Sequence, residues 1–148
     1  MTRRVVSGLN SKGQSCIIAN GEPLKTHRFG GFAAAELWRS GPPAPDLKQL
    51  NDLTAEADFQ INLMPGESSF RMITIPPLSG GEDSSAMHTT TTIDYIVIGE
   101  GEIDLGFEDG SEAHLRPGDC VMQGGVMHSW RNRSGKPCTF AAIMIGAA

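Results

Sequence analysis

Apolar and polar residues alternate in short runs along this chain, and turn-forming residues close each run, as expected for half-buried β-strands. Ser69–Ile75 sets Phe70, Met72 and Thr74 against Arg71, Ile73 and Ile75 and stops at Pro76-Pro77. Met87–Ile98 runs up to Gly99-Glu100-Gly101, and Glu102–Glu108 carries Ile103, Leu105 and Phe107 on one face before Asp109-Gly110. Glu112–Leu115, Cys120–Gln123, His128–Asn132 and Pro137–Ile145 follow, punctuated by Pro117-Gly118-Asp119, Gly124-Gly125 and Ser134-Gly135. Towards the N-terminus, Arg3–Ala19 reads as a hairpin around Asn10-Ser11-Lys12-Gly13. Phe32–Trp38 contains helix-forming Ala33, Ala34, Ala35 and Glu36, yet its short length and its Gly and Pro flanks make it a strand. Residues 41–58 read as a connection with one helical turn at Leu47–Thr54. The pattern predicts an all-β fold, an antiparallel sandwich or barrel, with no long amphipathic helix and no internal repeat.

Length and composition narrow this picture. The 148 residues suit one domain over 1–148, with N-terminal strands and a connecting loop over 1–66 and a barrel over 67–148. Seventeen acidic against twelve basic side chains give a net charge of -5, and the second half offers only Arg116, Arg131, Arg133 and Lys136 as cations. That balance argues against nucleic acid, whose phosphates are held by clustered Lys and Arg. Cys16, Cys120 and Cys138 are odd in number and lack CxxC spacing, so they read as reduced thiols, Cys120 and Cys138 as small buried groups. No apolar run approaches a membrane span, and the basic N-terminus has no apolar stretch behind it, so a cytoplasmic location is expected.

Candidate chemistry comes from two rows. Alternate positions of a strand face one side, so His88, Thr90, Thr92 and Asp94 are expected to project together. His128, Trp130 and Asn132 form a second row. A buried polar row needs partners, whether internal, water, metal or ligand. Asp94 has an alternative, pairing with a buried arginine such as Arg71. Trp130 fits either barrel packing or stacking on a substrate. His27 and His114 read as loop or surface histidines, and Met122, Met127 and Met144 as core filler.

The stretch from Gly80 to Ile145 resembles the cupin superfamily. Its first motif is similar to Gly80-Gly81…His88-x-Thr90…Asp94…Gly101, and its second to Pro117-Gly118-Asp119…Gly125-x-x-His128-x-x-x-Asn132. The resemblance is to small stand-alone cupins, and it implies a jelly-roll β-barrel, here with an N-terminal β extension. It also implies a metal held by two histidines and a glutamate of the first motif and one histidine of the second. This sequence departs from that pattern, with Thr90 in place of the second histidine and Asp94 in place of glutamate. His88, Asp94 and His128 remain as a reduced ligand set for Fe(II), Zn(II) or Mn(II), with metal-free chemistry as the other expectation.

Three functions fit these residues. The first is an enzyme using acid/base chemistry on a carbonyl-bearing small molecule, a dehydratase, decarboxylase, isomerase or cyclase. In it Asp94 is the base, His128 the acid and His88 the orienting or metal-holding group, while Arg71, Thr90, Thr92, Gln123 and Trp130 contact substrate. The second is an Fe(II)-dependent oxygenase on the triad His88, Asp94 and His128, and the third a non-catalytic small-molecule binder. A homodimer is expected, with the N-terminal strands extending the sheet or pairing with a second subunit.

Overall fold

The computed structural model describes residues 2–29, 32–42, 45–55, 58–78 and 86–148. Their secondary structure is entirely β. The strands are β1 (Arg4–Leu9), β2 (Ser15–Gly21), β3 (Lys25–Phe29), β4 (Phe32–Ser40), β5 (Ser68–Ile75), β6 (Thr92–Glu100), β7 (Ile103–Phe107), β8 (Glu112–Leu115), β9 (Cys120–Gln123), β10 (His128–Arg131) and β11 (Cys138–Gly146). Every pairing is antiparallel. A six-stranded sheet has the order β3-β4-β5-β11-β6-β9, a three-stranded sheet β10-β7-β8 faces it, and β1-β2 stands as a separate hairpin. The all-β, antiparallel double-sheet architecture read from the period-two pattern is therefore the observed one.

The inner face of the large sheet is apolar at one end and polar at the other. Ile96 and Ile98 of β6 and Cys138 and Phe140 of β11 pack against Ile103, Leu105 and Leu115 of the small sheet. Burying branched and aromatic side chains on two facing sheets supplies the main driving force for this layer. One strand turn further along, the inward positions change to Thr92 and Asp94 on β6, Ser69 and Arg71 on β5 and Gln123 on β9, all buried. Register aligns them: Asp94 lies opposite Gln123 and Met144, Met144 opposite Ser69, and Arg71 opposite Glu36 of β4.

Several sequence expectations change. The helical turn at Leu47–Thr54 is absent; that stretch is turns and one isolated bridge, Asp46 to Gln49, because its side chains cap main-chain groups, as when Asp52 accepts from the Thr54 amide (3.1 Å). Strand β3 was not anticipated, since Lys25-Thr26-His27-Arg28 shows no apolar alternation; it is an edge strand held by main-chain pairing to β4. His27 therefore lies on a strand, half-buried, its ring 4.3 Å from that of Phe59. His114 is exposed, as expected. Cys120 and Met122 point outward from β9 and are exposed, not buried, whereas Cys138 and Met144 do sit in the core.

Candidate functional site

The strand containing Asp94 begins at Thr92, not Met87. The preceding residues are held by other partners: the Thr91 amide donates to Asn62 (3.1 Å), the Thr91 hydroxyl to the Leu63 carbonyl (3.3 Å), and the Thr89 hydroxyl to the Gly125 carbonyl (2.7 Å). His88 thus leaves the row expected for it. It forms instead an isolated bridge with His128, exchanging both main-chain hydrogen bonds (3.0 and 2.9 Å), and the two rings lie 4.4 Å apart. His88 is exposed and forms the rim, while His128 is buried beneath it. Gly80 and Gly81 of the first motif fall outside the described residues.

Thr90, Thr92 and Asp94 do line up, buried, with the Thr92 hydroxyl donating to that of Thr90 (2.9 Å). Asp94 Oδ1 is buried and has no hydrogen-bond partner among the described residues. Burial raises its pKa above the ordinary aspartate value, against the opposing pull of Thr92, Arg71 and His88. The alternative pairing of Asp94 with Arg71 is not made. Arg71 donates instead to Ser69 Oγ (2.8 Å), Glu36 Oε1 (3.3 Å) and the Gln60 carbonyl (2.5 Å), and its guanidinium stacks over Phe59 at 4.4 Å. Arg71 acts on Asp94 only through its field.

His128 is set by its neighbours. Its Nδ1 stands 2.8 Å from the Val126 carbonyl, which can only accept, so Nδ1 carries the hydrogen and Nε2 the lone pair. Burial lowers the pKa of the ring, helped by the charge of His88 and opposed by the Val126 bond. Gln123 sits between the two candidate groups, paired in register with Asp94 and 3.2 Å from His128 Nδ1 through an amide nitrogen that donates to the Gly124 carbonyl (3.0 Å). The Gln123 Oε1 is buried without a partner among the described residues.

The second row divides. Trp130 stacks on Phe140 at 5.0 Å and meets His128 edge-on at 6.1 Å, a wall position between core and polar end. Asn132 is buried and structural, donating to the Ile75 and Lys136 carbonyls (2.9 and 2.7 Å). Glu36 and Ser69 were missed by sequence reading. Glu36 is fully buried, accepts from Ser69 (2.6 Å) and Arg71, and keeps Oε2 unpartnered among the described residues.

Among the described residues no three His, Cys, Asp or Glu side chains gather closely enough to hold a metal ion. His88 and His128 each have Nδ1 directed at a main-chain carbonyl, Ala86 (3.0 Å) and Val126, which leaves Nε2 of each ring as the atom able to meet a substrate or a metal.

An antiparallel double sheet with polar groups at one end is compatible with a cupin barrel, and comparison with known proteins bears on that class. No family model matches the chain. It is 32% identical over 137 residues, covering 89% of this chain and 67% of the relative, to the cupin-domain-containing oxidoreductase srdD of Neurospora crassa. It is 40% identical over 93 residues to phomopsin biosynthesis cluster protein D of Diaporthe leptostromiformis, covering 60% of this chain and 47% of that protein. The chain spans about half the length of the phomopsin biosynthesis cluster proteins it matches, 47% of each. Among solved structures, a Salmonella typhimurium protein assigned to ethanolamine utilization aligns over 100% of this chain and 98% of its own, with TM-score 0.53 and 12% identity. FeII HppE aligns over 97% of this chain and 56% of its own, with TM-score 0.50 and 13% identity; both likenesses are of fold. The chain belongs to the cupin superfamily.

Proposed function

We propose that this barrel is the catalytic part of a small-molecule enzyme working by proton transfer on a carbonyl-bearing metabolite, as a dehydratase, decarboxylase, isomerase or cyclase. The observation that carries this reading is Asp94, a buried carboxyl group with one oxygen unpartnered among the described residues. An unmet buried acceptor costs about 1–3 kcal/mol, a cost best explained by a ligand that supplies the missing donor. Asp94 is displaced towards its protonated form and His128 towards its neutral form, which favours the reverse of the roles expected from sequence. His128 Nε2 then takes a proton from carbon next to the carbonyl, the electron pair moves onto the carbonyl oxygen, and Asp94 supplies that oxygen with a proton. Gln123, beside both, orients the substrate, as do Thr90 and Thr92. Arg71, already engaged by Glu36 and Gln60, sets the field. Relatives named as proteins of biosynthesis clusters support a metabolite as substrate.

A second reading, an Fe(II)-dependent oxygenase, is favoured by relatives named cupin-domain-containing oxidoreductases. Metal analysis of unsupplemented protein, followed by oxygen uptake after anaerobic Fe(II) addition, separates the two. A panel of carbonyl and hydroxy-acid compounds screened by thermal shift and then for turnover tests the first. Activity that survives both His128→Ala and Asp94→Asn would overturn it, and binding with no turnover would make the barrel a binder.

A further inference from the structure

Asp94 and Gln123 lie directly opposite one another on β6 and β9, both directed inward and both buried. Opposed residues of an antiparallel pair hold their Cβ atoms about 4.5–5.5 Å apart, so one small molecule can touch both side chains at once. Each keeps a buried oxygen that is unpartnered among the described residues, Asp94 Oδ1 and Gln123 Oε1. The Gln123 amide is oriented by its own contact: its nitrogen stands 3.0 Å from the Gly124 carbonyl, which can only accept. Nitrogen and oxygen therefore cannot be exchanged, and the unpartnered atom is an acceptor. A ketone or aldehyde oxygen also only accepts. It takes a hydrogen bond from a protonated Asp94 and offers nothing to Gln123 Oε1, so a metabolite whose sole polar group is a carbonyl would seal that oxygen in unpaired.

We propose that the substrate carries a hydroxyl on the carbon beside its carbonyl, and that Gln123 Oε1 accepts from this hydroxyl while the carbonyl meets Asp94. The inference rests on the proton-transfer reading of Asp94 and His128 given above and adds the substrate class to it. Oxygens on adjacent carbons suit two side chains of one cross-strand pair, whereas a hydroxyl several carbons away would have to fold back to reach Gln123. A neutral donor fits better than an ammonium group. Burial displaces Asp94 towards its protonated form and His128 towards its neutral form, and Glu36 is already paired with Arg71 (3.3 Å), so a cationic amine would lose its water without gaining a counterion. Gln123 is then the residue that sets specificity, because a site built to hydrogen-bond a hydroxyl rejects the analogue lacking it far more strongly than an apolar pocket rejects a missing methylene.

Matched pairs of probes that differ only by a hydroxyl in place of a methyl test this on the whole chain: acetoin against methyl isopropyl ketone, and phenacyl alcohol against propiophenone. Exchange of the hydrogen beside the carbonyl in deuterium oxide, followed by proton NMR, reads proton transfer on all of them. In at least one pair the wild type is expected to exchange the hydroxy member at least tenfold faster than its partner, after subtraction of the rate without protein. Gln123→Leu, with fold checked by far-UV dichroism, is expected to bring that ratio within about twofold by slowing the hydroxy member alone. Equal catalysed exchange of both members, or a ratio that Gln123→Leu leaves unchanged, overturns the inference and leaves the proton-transfer reading standing. Catalysed exchange of none of the four probes counts against that reading, and the substrate class falls with it. Should Gln123→Leu fail to fold, the wild-type ratio decides.

Discussion

Asp94, the proposed proton donor, also destabilises the fold. Its folded-state pKa lies above the ordinary value, so its ionisation works against folding at every pH above that value. Asp94→Asn removes the ionisable group while keeping the shape. It is expected to raise stability by about 1 kcal/mol, roughly 2–4 °C in Tm for a chain of this size. The same change is expected to lower turnover by about 10²–10⁴-fold, measured beside Tm on one preparation. Arg71→Ala does the opposite, because it strands the fully buried Glu36 carboxylate; a loss of about 3–5 kcal/mol is expected by urea titration, and Arg71→Ala combined with Glu36→Gln should recover part of it. At this scale Thr90, Thr92, Asp94 and His128 were legible in the sequence, because side-chain alternation within a strand is strict. The approach of His88 to His128 was legible too, but its departure from the strand row was not, because nothing local shows that Thr89 and Thr91 are drawn to Gly125 and Asn62. Glu36 was passed over because it stands in an alanine-rich run, and its partner Arg71 is 35 residues away.

The elements that bear these residues are fixed by close main-chain approaches. Gly125, in the turn before β10, lies so near the Thr90 carbonyl that a Cβ would stand 2.6 Å from its oxygen, and the Gly125 carbonyl in turn accepts from Thr89. Gly125→Ala is therefore expected to push the 86–91 segment off β10. It should cost about 1–3 kcal/mol by thermal or urea unfolding, with His88 losing its bridge to His128, visible as faster amide exchange at both residues. Strands with apolar alternation and a Gly or Pro at the end, β5 to β11, were legible in the sequence. Strand β3 was not, since its stability comes from pairing to β4, and the expected turn of helix at 47–54 failed because Asp46 and Asp52 bond the backbone two residues ahead.

On the scale of the whole molecule the barrel has an ion-paired outer face, where Arg131 and Arg133 meet Glu112 and Asp104, and an interior divided into apolar and polar ends. The ion-paired face responds to acid. Arg133 and Arg131 hold the Glu112 carboxyl down at about 2 from its ordinary 4.5. A depressed carboxylate contributes stability that is fully present above the unfolded value and is lost as pH falls from about 4.5 towards 2. Arg133→Ala is expected to flatten the Tm profile across that window, and added salt should shrink the difference between variant and wild type, since the pair is exposed. Equal profiles at low salt would show that the network does not respond to pH. The interior responds in the same direction at higher pH, since the depressed pKa of His128 means that protonating it opposes folding and stability falls as pH drops below the ordinary histidine value of 6.5.

The central claim is that the buried end of the barrel keeps His128 neutral, with its hydrogen on Nδ1 and its Nε2 lone pair free to take a proton. Nitrogen-15 NMR of the histidine side chains across pH tests it without knowledge of the substrate. His128, assigned through His128→Ala, is expected in the Nδ1–H form at neutral pH, with a midpoint below 6.5. An Nε2–H tautomer, or a ring that titrates at or above 6.5, would contradict it.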